Sequence, residues 1–158
     1  MASLTFAIFL AGLRVVCLHE YLTALLNMAE SVQTILIVDD NPDLLELLKM
    51  SFVEAGFSVI TAASGPEALR HAKSLPDLIV LDLVLPEIDG FAVCQTLKHD
   101  RATGSIPIIM ITGLTNQLNR LSGFECGASD YITKPFRPDD LVERTRILLN
   151  RPGSNPKP

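Results

Sequence analysis

The chain lacks an excess of basic residues, a paired-cysteine motif and an internal repeat, and each absence narrows what it can do. Lys and Arg number 13 against 18 Asp and Glu, for a formal charge of -5. Phosphate backbones are held by clustered cations, and no basic stripe is present, so direct contact with nucleic acid is not expected. Cys17, Cys94 and Cys126 are odd in number, widely spaced and without a CxxC. That pattern argues against a disulfide framework or a zinc site and leaves reduced thiols in a cytoplasmic protein as the expectation. Cys94, at core spacing in FAVCQTL, is expected to pack as a small apolar side chain. The 158 residues suit one domain, with about 120 residues of regular pattern.

Residues 1–27, MASLTFAIFLAGLRVVCLHEYLTALLN, differ from the rest in being largely apolar, with Arg14, His19 and Glu20 as the only acidic or basic side chains. No Lys or Arg precedes the apolar stretch and no small-x-small site follows it, so it makes a poor secretory signal. As a membrane span, 4–18 is short and carries Arg14 inside it, where a bilayer needs roughly 20 apolar residues. Two readings stay open. One is a short hydrophobic anchor or partner helix, the sole case in which a membrane contact is expected. The other, favoured, is an upstream non-native start, with Met28 opening a self-sufficient domain. The expected organisation is a leader at 1–27, one domain at 28–150 and a disordered Pro/Gly-rich tail at 151–158.

From Thr34 onward, short apolar runs alternate with amphipathic segments. The runs at 34–38, 57–61, 77–81, 106–111 and 129–133 read as strands. Helices are expected from Pro42 to a stop at Gly56, with the leucines and Met50 at helical spacing, and from a Ser64/Glu67 capping box through Lys73. Others follow at 91–99, more weakly at 114–126, and at 138–149. His71 and His99 fall on the polar faces of these helices. A (βα)5 alternation argues for an α/β doubly wound, parallel sheet in the flavodoxin-like order 2-1-3-4-5.

Against that frame, residues capable of chemistry all stand where an apolar run stops. Asp39 and Asp40 follow the first strand, Asp82 the third, Thr112 the fourth and Lys134-Pro135 the fifth. Parallel strands deliver their C-terminal ends to one edge of the sheet, the edge at which open α/β folds bind ligands. Taken singly, each has a plain explanation: a helix cap, a turn, a hydroxyl bonded to nearby backbone, an exposed lysine. Jointly they place three carboxylates, a hydroxyl and an ammonium in one pocket. Carboxylates so crowded need a divalent cation, and hard oxygen ligands point to magnesium, or manganese in its place. Such a set suits phosphoryl transfer to Asp82, with Lys134 and Thr112 as donors to the phosphoryl oxygens and Gly113 leaving room beside them.

The segments ILIVDDNPDLLELL, LIVLDLVLPEIDGF, IPIIMITGL and GASDYITKPF resemble the receiver domain of bacterial two-component response regulators, of the single-domain type, over most of the chain. The resemblance implies that Asp82 is the phosphoacceptor and that Asp39, Asp40, Asp82 and the backbone carbonyl of Val84 hold the metal. It also implies that Thr112 and Tyr131 are switch residues and that Lys134 and Pro135 are joined by a cis peptide. The donor is then a phosphohistidine on a sensor histidine kinase or phosphotransfer protein. Output passes through the surface of the fourth helix, fifth strand and fifth helix to a downstream protein target, or to a phosphorylation-dependent homodimer. The chain is not expected to be an enzyme beyond its own phosphorylation and dephosphorylation. Val84 and Leu114 are apolar where polar side chains in related receivers help orient the hydrolytic water, so slow phosphate loss is expected. Two other readings compete: a pseudo-receiver that binds partners without phosphorylation, and a haloacid-dehalogenase-like phosphatase. The latter needs a second Asp two residues after the nucleophile, where this chain has Val84.

Overall fold

The computed structural model describes residues 32–113 and 126–150. The leader 1–27, the tail 151–158, the expected helix at 114–126 apart from its last residue, and Leu114 lie outside the described residues. Five strands, β1 (Thr34–Val38), β2 (Ser58–Ala62), β3 (Leu78–Asp82), β4 (Ile108–Thr112) and β5 (Asp130–Thr133), alternate with helices α1 (Pro42–Glu54), α2 (Gly65–Ala72), α3 (Gly90–His99) and α4 (Pro138–Leu149). All the strand pairs are parallel, and the order is β2-β1-β3-β4-β5. This is the expected doubly wound sheet with its switch point between β1 and β3. No described helix is long and apolar enough to cross a membrane.

Local chemistry accounts for the boundaries. Asn41 caps α1, its side chain accepting from Asp43 N at 3.0 Å and Leu44 N at 3.3 Å, and Pro42 stands in the first turn, where its missing N–H costs nothing. At the other end Gly56 takes φ +93°, a left-handed conformation that lets Phe57 N bond Phe52 O at 3.0 Å. That bond holds Phe57 in the helix exit, so β2 starts one residue later than the apolar run suggests. β3 is similarly displaced, because the Asp77 carboxylate accepts from Thr34 N at 2.6 Å ahead of the ladder. At α2, Ser64 Oγ accepts from Glu67 N at 3.4 Å while Glu67 reaches back to Ala63 N at 2.8 Å. The reciprocal box therefore closes one residue further out than the usual form.

Alternating strand residues feed two apolar layers. Leu36, Val38, Ile79, Leu81, Ile108, Met110 and Tyr131 face α2 and α3, while Ile35, Ile37, Leu78, Val80, Ile109, Ile111 and Ile132 face α1 and α4. Side chains of opposite parity project to opposite faces of a strand, so a sheet covered on both sides reads as an unbroken apolar run. Complete burial of each Val, Leu or Ile contributes about 1.5–3 kcal/mol. In α1 the buried stripe is Leu48 and Phe52, flanked by Leu44 and Leu45. Met50, expected on that stripe, is instead 63% exposed, with Leu47 at 49% and Val53 at 54%. Helical spacing alone fits two apolar stripes on this segment, and packing against the sheet selects one. His71 is partly exposed and His99 exposed, as expected.

Gly90 is the glycine the fold depends on most directly. A Cβ there would stand 1.9 Å from the carbonyl oxygen of Asp82 and 2.9 Å from Leu83 Cα, while Gly90 N bonds Leu83 O at 2.9 Å. Gly90→Ala is expected to lower the free energy of unfolding by at least about 1–3 kcal/mol, the usual range for overpacking. A urea-denaturation midpoint unchanged from the parent chain would contradict this close approach.

Candidate phosphoryl-acceptor site

The register of the sheet assembles the site. Val38 pairs with Leu81, Asp82 with Ile111 and Thr112 with Thr133. Asp39, Asp82, Thr112 and Lys134 therefore leave the ladder at the same edge, and Lys134 N is tied to Thr112 O at 2.7 Å. Asp39 and Thr112 are fully buried, Asp82 is 4% exposed, and Asp40 is exposed. One oxygen from each of Asp39, Asp40 and Asp82 lies within 4.8 Å of the others.

The buried carboxylates are held by complementary donors. Asp39 Oδ1 accepts from Asn41 N at 2.9 Å and Oδ2 from Lys134 Nζ at 2.8 Å. Asp82 Oδ1 accepts from Val84 N at 3.0 Å, and its Oδ2 accepts from the same Lys134 ammonium. Burial pushes the Asp82 carboxyl above its ordinary value; hydrogen bonds from Lys134 and Val84 pull it back, and Asp39 adds to the rise. Burial alone would lower Lys134, but its hydrogen bonds to Asp39 and Asp82 win and raise it. The ammonium thus stays charged and neutralises part of the cluster.

Three clustered oxygen donors, one of them exposed, fit a small hard dication, which would favour the ionised form of Asp82. The Val84 side chain is 60% exposed beside Asp82. Lys134 and Pro135 are joined by a cis peptide, as expected. Tyr131 is 6% exposed in the apolar layer over α3, and burial, reinforced by Cys126 and Cys94, raises its phenol to about 12. A Cβ on Gly113 would meet nothing within 4 Å among the described residues, so there is room beside Thr112. A cavity of about 560 Å³ against β5 and α4 is lined by Ile132, Phe136, Arg144 and Leu148 but by none of Asp39, Asp40 and Asp82, so it lies apart from the carboxylate cluster.

One contributor goes unnoticed in the sequence. Gly90 lets α3 start against the backbone of Asp82, and its only signal there is a DG pair after the third strand. Its importance rests on a backbone contact across the loop, which residue types do not reveal.

Residues 35–146 match the family described as the response regulator receiver domain. The chain is 43% identical over 124 residues to the DNA-binding dual master transcriptional regulator RpaA of Synechocystis, covering 78% of this chain and 52% of that protein. It is 42% identical over 118 residues to the alkaline phosphatase synthesis transcriptional regulatory protein PhoP of Bacillus subtilis, covering 74% of this chain and 48% of that one. The chain therefore spans about half the length of these curated relatives. Both names are those of transcriptional regulators, and the first states DNA binding, which the expectation of no nucleic-acid contact does not share. Among solved structures, the chemotaxis response regulator CheY4 of Vibrio cholerae superposes with a TM-score of 0.71 at 28% identity, over 75% of this chain and 99% of that one. The receiver domain of a signal transduction histidine kinase from Syntrophus aciditrophicus superposes with a TM-score of 0.70 at 37% identity, over 80% and 98%. By sequence, topology and the carboxylate edge together, the chain belongs to the response regulator receiver family.

Proposed function

We propose that this domain accepts a phosphoryl group on Asp82 and converts that event into a change of surface read by a protein partner. The observation that carries the proposal is the setting of one carboxylate. Asp82 is buried at the sheet edge, gripped on one oxygen by Lys134 and on the other by Val84 N–H, with the oxygens of Asp39 and Asp40 beside it. The donor is a phosphohistidine of a sensor histidine kinase or phosphotransfer protein. An Asp82 oxygen bonds to phosphorus as the P–N bond breaks, and the electron pair leaves on the imidazole nitrogen.

Magnesium or manganese held by Asp39, Asp40, Asp82 and the Val84 carbonyl would supply positive charge to the phosphoryl oxygens. Lys134 offers its ammonium to another of these oxygens and Thr112 its hydroxyl, so the rate comes from fixed electrostatics instead of a general base. Thr112 and Tyr131 then carry the change outward through β5 and α4, together with the segment 114–126. The change is a population shift whose size is set by the differential contacts of the phosphoryl group. On this reading the domain catalyses only its own phosphorylation and dephosphorylation. It works in the cytoplasm, and its output is a protein contact, including a phosphorylation-dependent homodimer. The acidic balance of the chain supports an output in which DNA is not its own ligand.

Two measurements check this. With acetyl phosphate and magnesium, the parent chain is expected to incorporate label that Asp82→Asn loses entirely and that chelation by EDTA also removes. Equal labelling of parent and variant would take the acceptor role away from Asp82, and no labelling of the parent would favour a pseudo-receiver. The phosphorylated parent is further expected to lose phosphate slowly, because Val84 offers no hydrogen bond to an attacking water. One added hydrogen bond is worth about 1 kcal/mol, so Val84→Asn should speed autodephosphorylation roughly fivefold. An unchanged decay rate would show that position 84 does not govern that water.

A further inference from the structure

Cys94 and Cys126, distant in sequence and expected to be unremarkable thiols, meet in the core. Their Sγ atoms lie 2.7 Å apart, and Cys94 Sγ also donates to the Cys126 carbonyl at 3.5 Å. Both side chains are buried, Cys94 completely and Cys126 at 4% exposure, and neither is bridged. Cys94 belongs to α3, whereas Cys126 opens the turn that leads into β5. They share an apolar layer with Leu97, Met110 and Tyr131.

A third group completes the cluster. Lys98, one helical turn beyond Cys94, sends its ammonium to the carbonyls of Gly104 at 3.2 Å and Ile106 at 2.6 Å. Its stem lies under Gly127, where an added Cβ would stand 3.5 Å from Lys98 Cγ. Burial, then the neighbouring Cys126 thiol, push the Cys94 thiol up, and the nearby Lys98 charge pulls the other way. Burial outweighs that charge, so Cys94 rests as the neutral thiol.

We propose that Cys94 and Cys126 form a reversible disulfide, a redox modification site that ties α3 to the turn before β5. A covalent bond of about 2.05 Å asks the sulfurs to close by only roughly 0.7 Å from their present separation. The oxidant is a small, neutral hydroperoxide, the class best able to enter a buried site. The less buried Cys126 sulfur attacks one peroxide oxygen; the O–O bond breaks and one water leaves, giving a sulfenic acid. Cys94 sulfur then displaces that hydroxyl, its proton leaving with it as a second water. Two thiols and one hydrogen peroxide thus give one disulfide and two waters, the sulfurs losing two electrons in total. This modification does not depend on Asp82 accepting phosphate.

The test uses the full chain, exposed to hydrogen peroxide, alkylated under denaturing conditions and digested without reductant for mass spectrometry. The expected product is a monomer with a Cys94–Cys126 linked peptide that dithiothreitol removes. The same peptide should persist in Cys17→Ser and be absent from Cys94→Ala and Cys126→Ala. If the alanine variants do not fold, the parent map decides alone. Recovery of both cysteines as alkylated thiols or as sulfinic acids, or linkage only through Cys17, overturns the proposal.

Discussion

Two carboxylates buried side by side at one sheet edge repel each other and lose their hydration, and the site stands only because Lys134 lies between them. Its ammonium contacts both Asp39 and Asp82, while the remaining oxygen of each accepts a backbone N–H two residues on. Removing one partner from such an arrangement leaves a buried charge without compensation, the most costly kind of electrostatic change. The geometry of the domain therefore revolves around keeping three strand ends level, because the ammonium must reach across β4 to the ends of β1 and β3. The parallel register accomplishes that, and the bond from Lys134 N to Thr112 O fixes the height of the lysine itself.

The same requirement explains the stiffness of what lies behind the site. β1, β3 and β4 are buried along nearly their whole length, and the two apolar layers clamp the sheet from both sides. A site built on such strands holds its groups in place before any ligand arrives, so little reorganisation remains when one binds. The more exposed components are Asp40, the Val84 side chain and the loop before Gly90. Exchange with solvent is thereby confined to the mouth.

α3 links the carboxylate edge to the packing around Tyr131. It begins at Gly90, pressed on the Asp82 backbone, and carries Cys94 to within 2.7 Å of Cys126 Sγ. Tyr131 shares that layer. One helix therefore touches both the residue proposed to receive phosphate and the packing around the aromatic proposed to respond to it. A covalent tie at the cysteines would act on the same layer from the opposite end.

By itself the sequence determined the alternation of strands and helices, the strand order and the set Asp39, Asp40, Asp82, Thr112 and Lys134, because those features are written in local periodicity and in which residue ends each apolar run. Gly113 could be placed at the site from its neighbour Thr112, whereas Val84 was placed there by the family resemblance. Only the tertiary structure decided that Asn41 caps α1, that Leu48 and Phe52 are buried while Leu47 and Met50 are not, and that Gly90 meets the Asp82 backbone. It alone brought Cys94 and Cys126 together across 32 positions of chain. Each of these depends on which surfaces meet once the sheet is covered, and contact between residues distant in sequence leaves no mark in the spacing of either one.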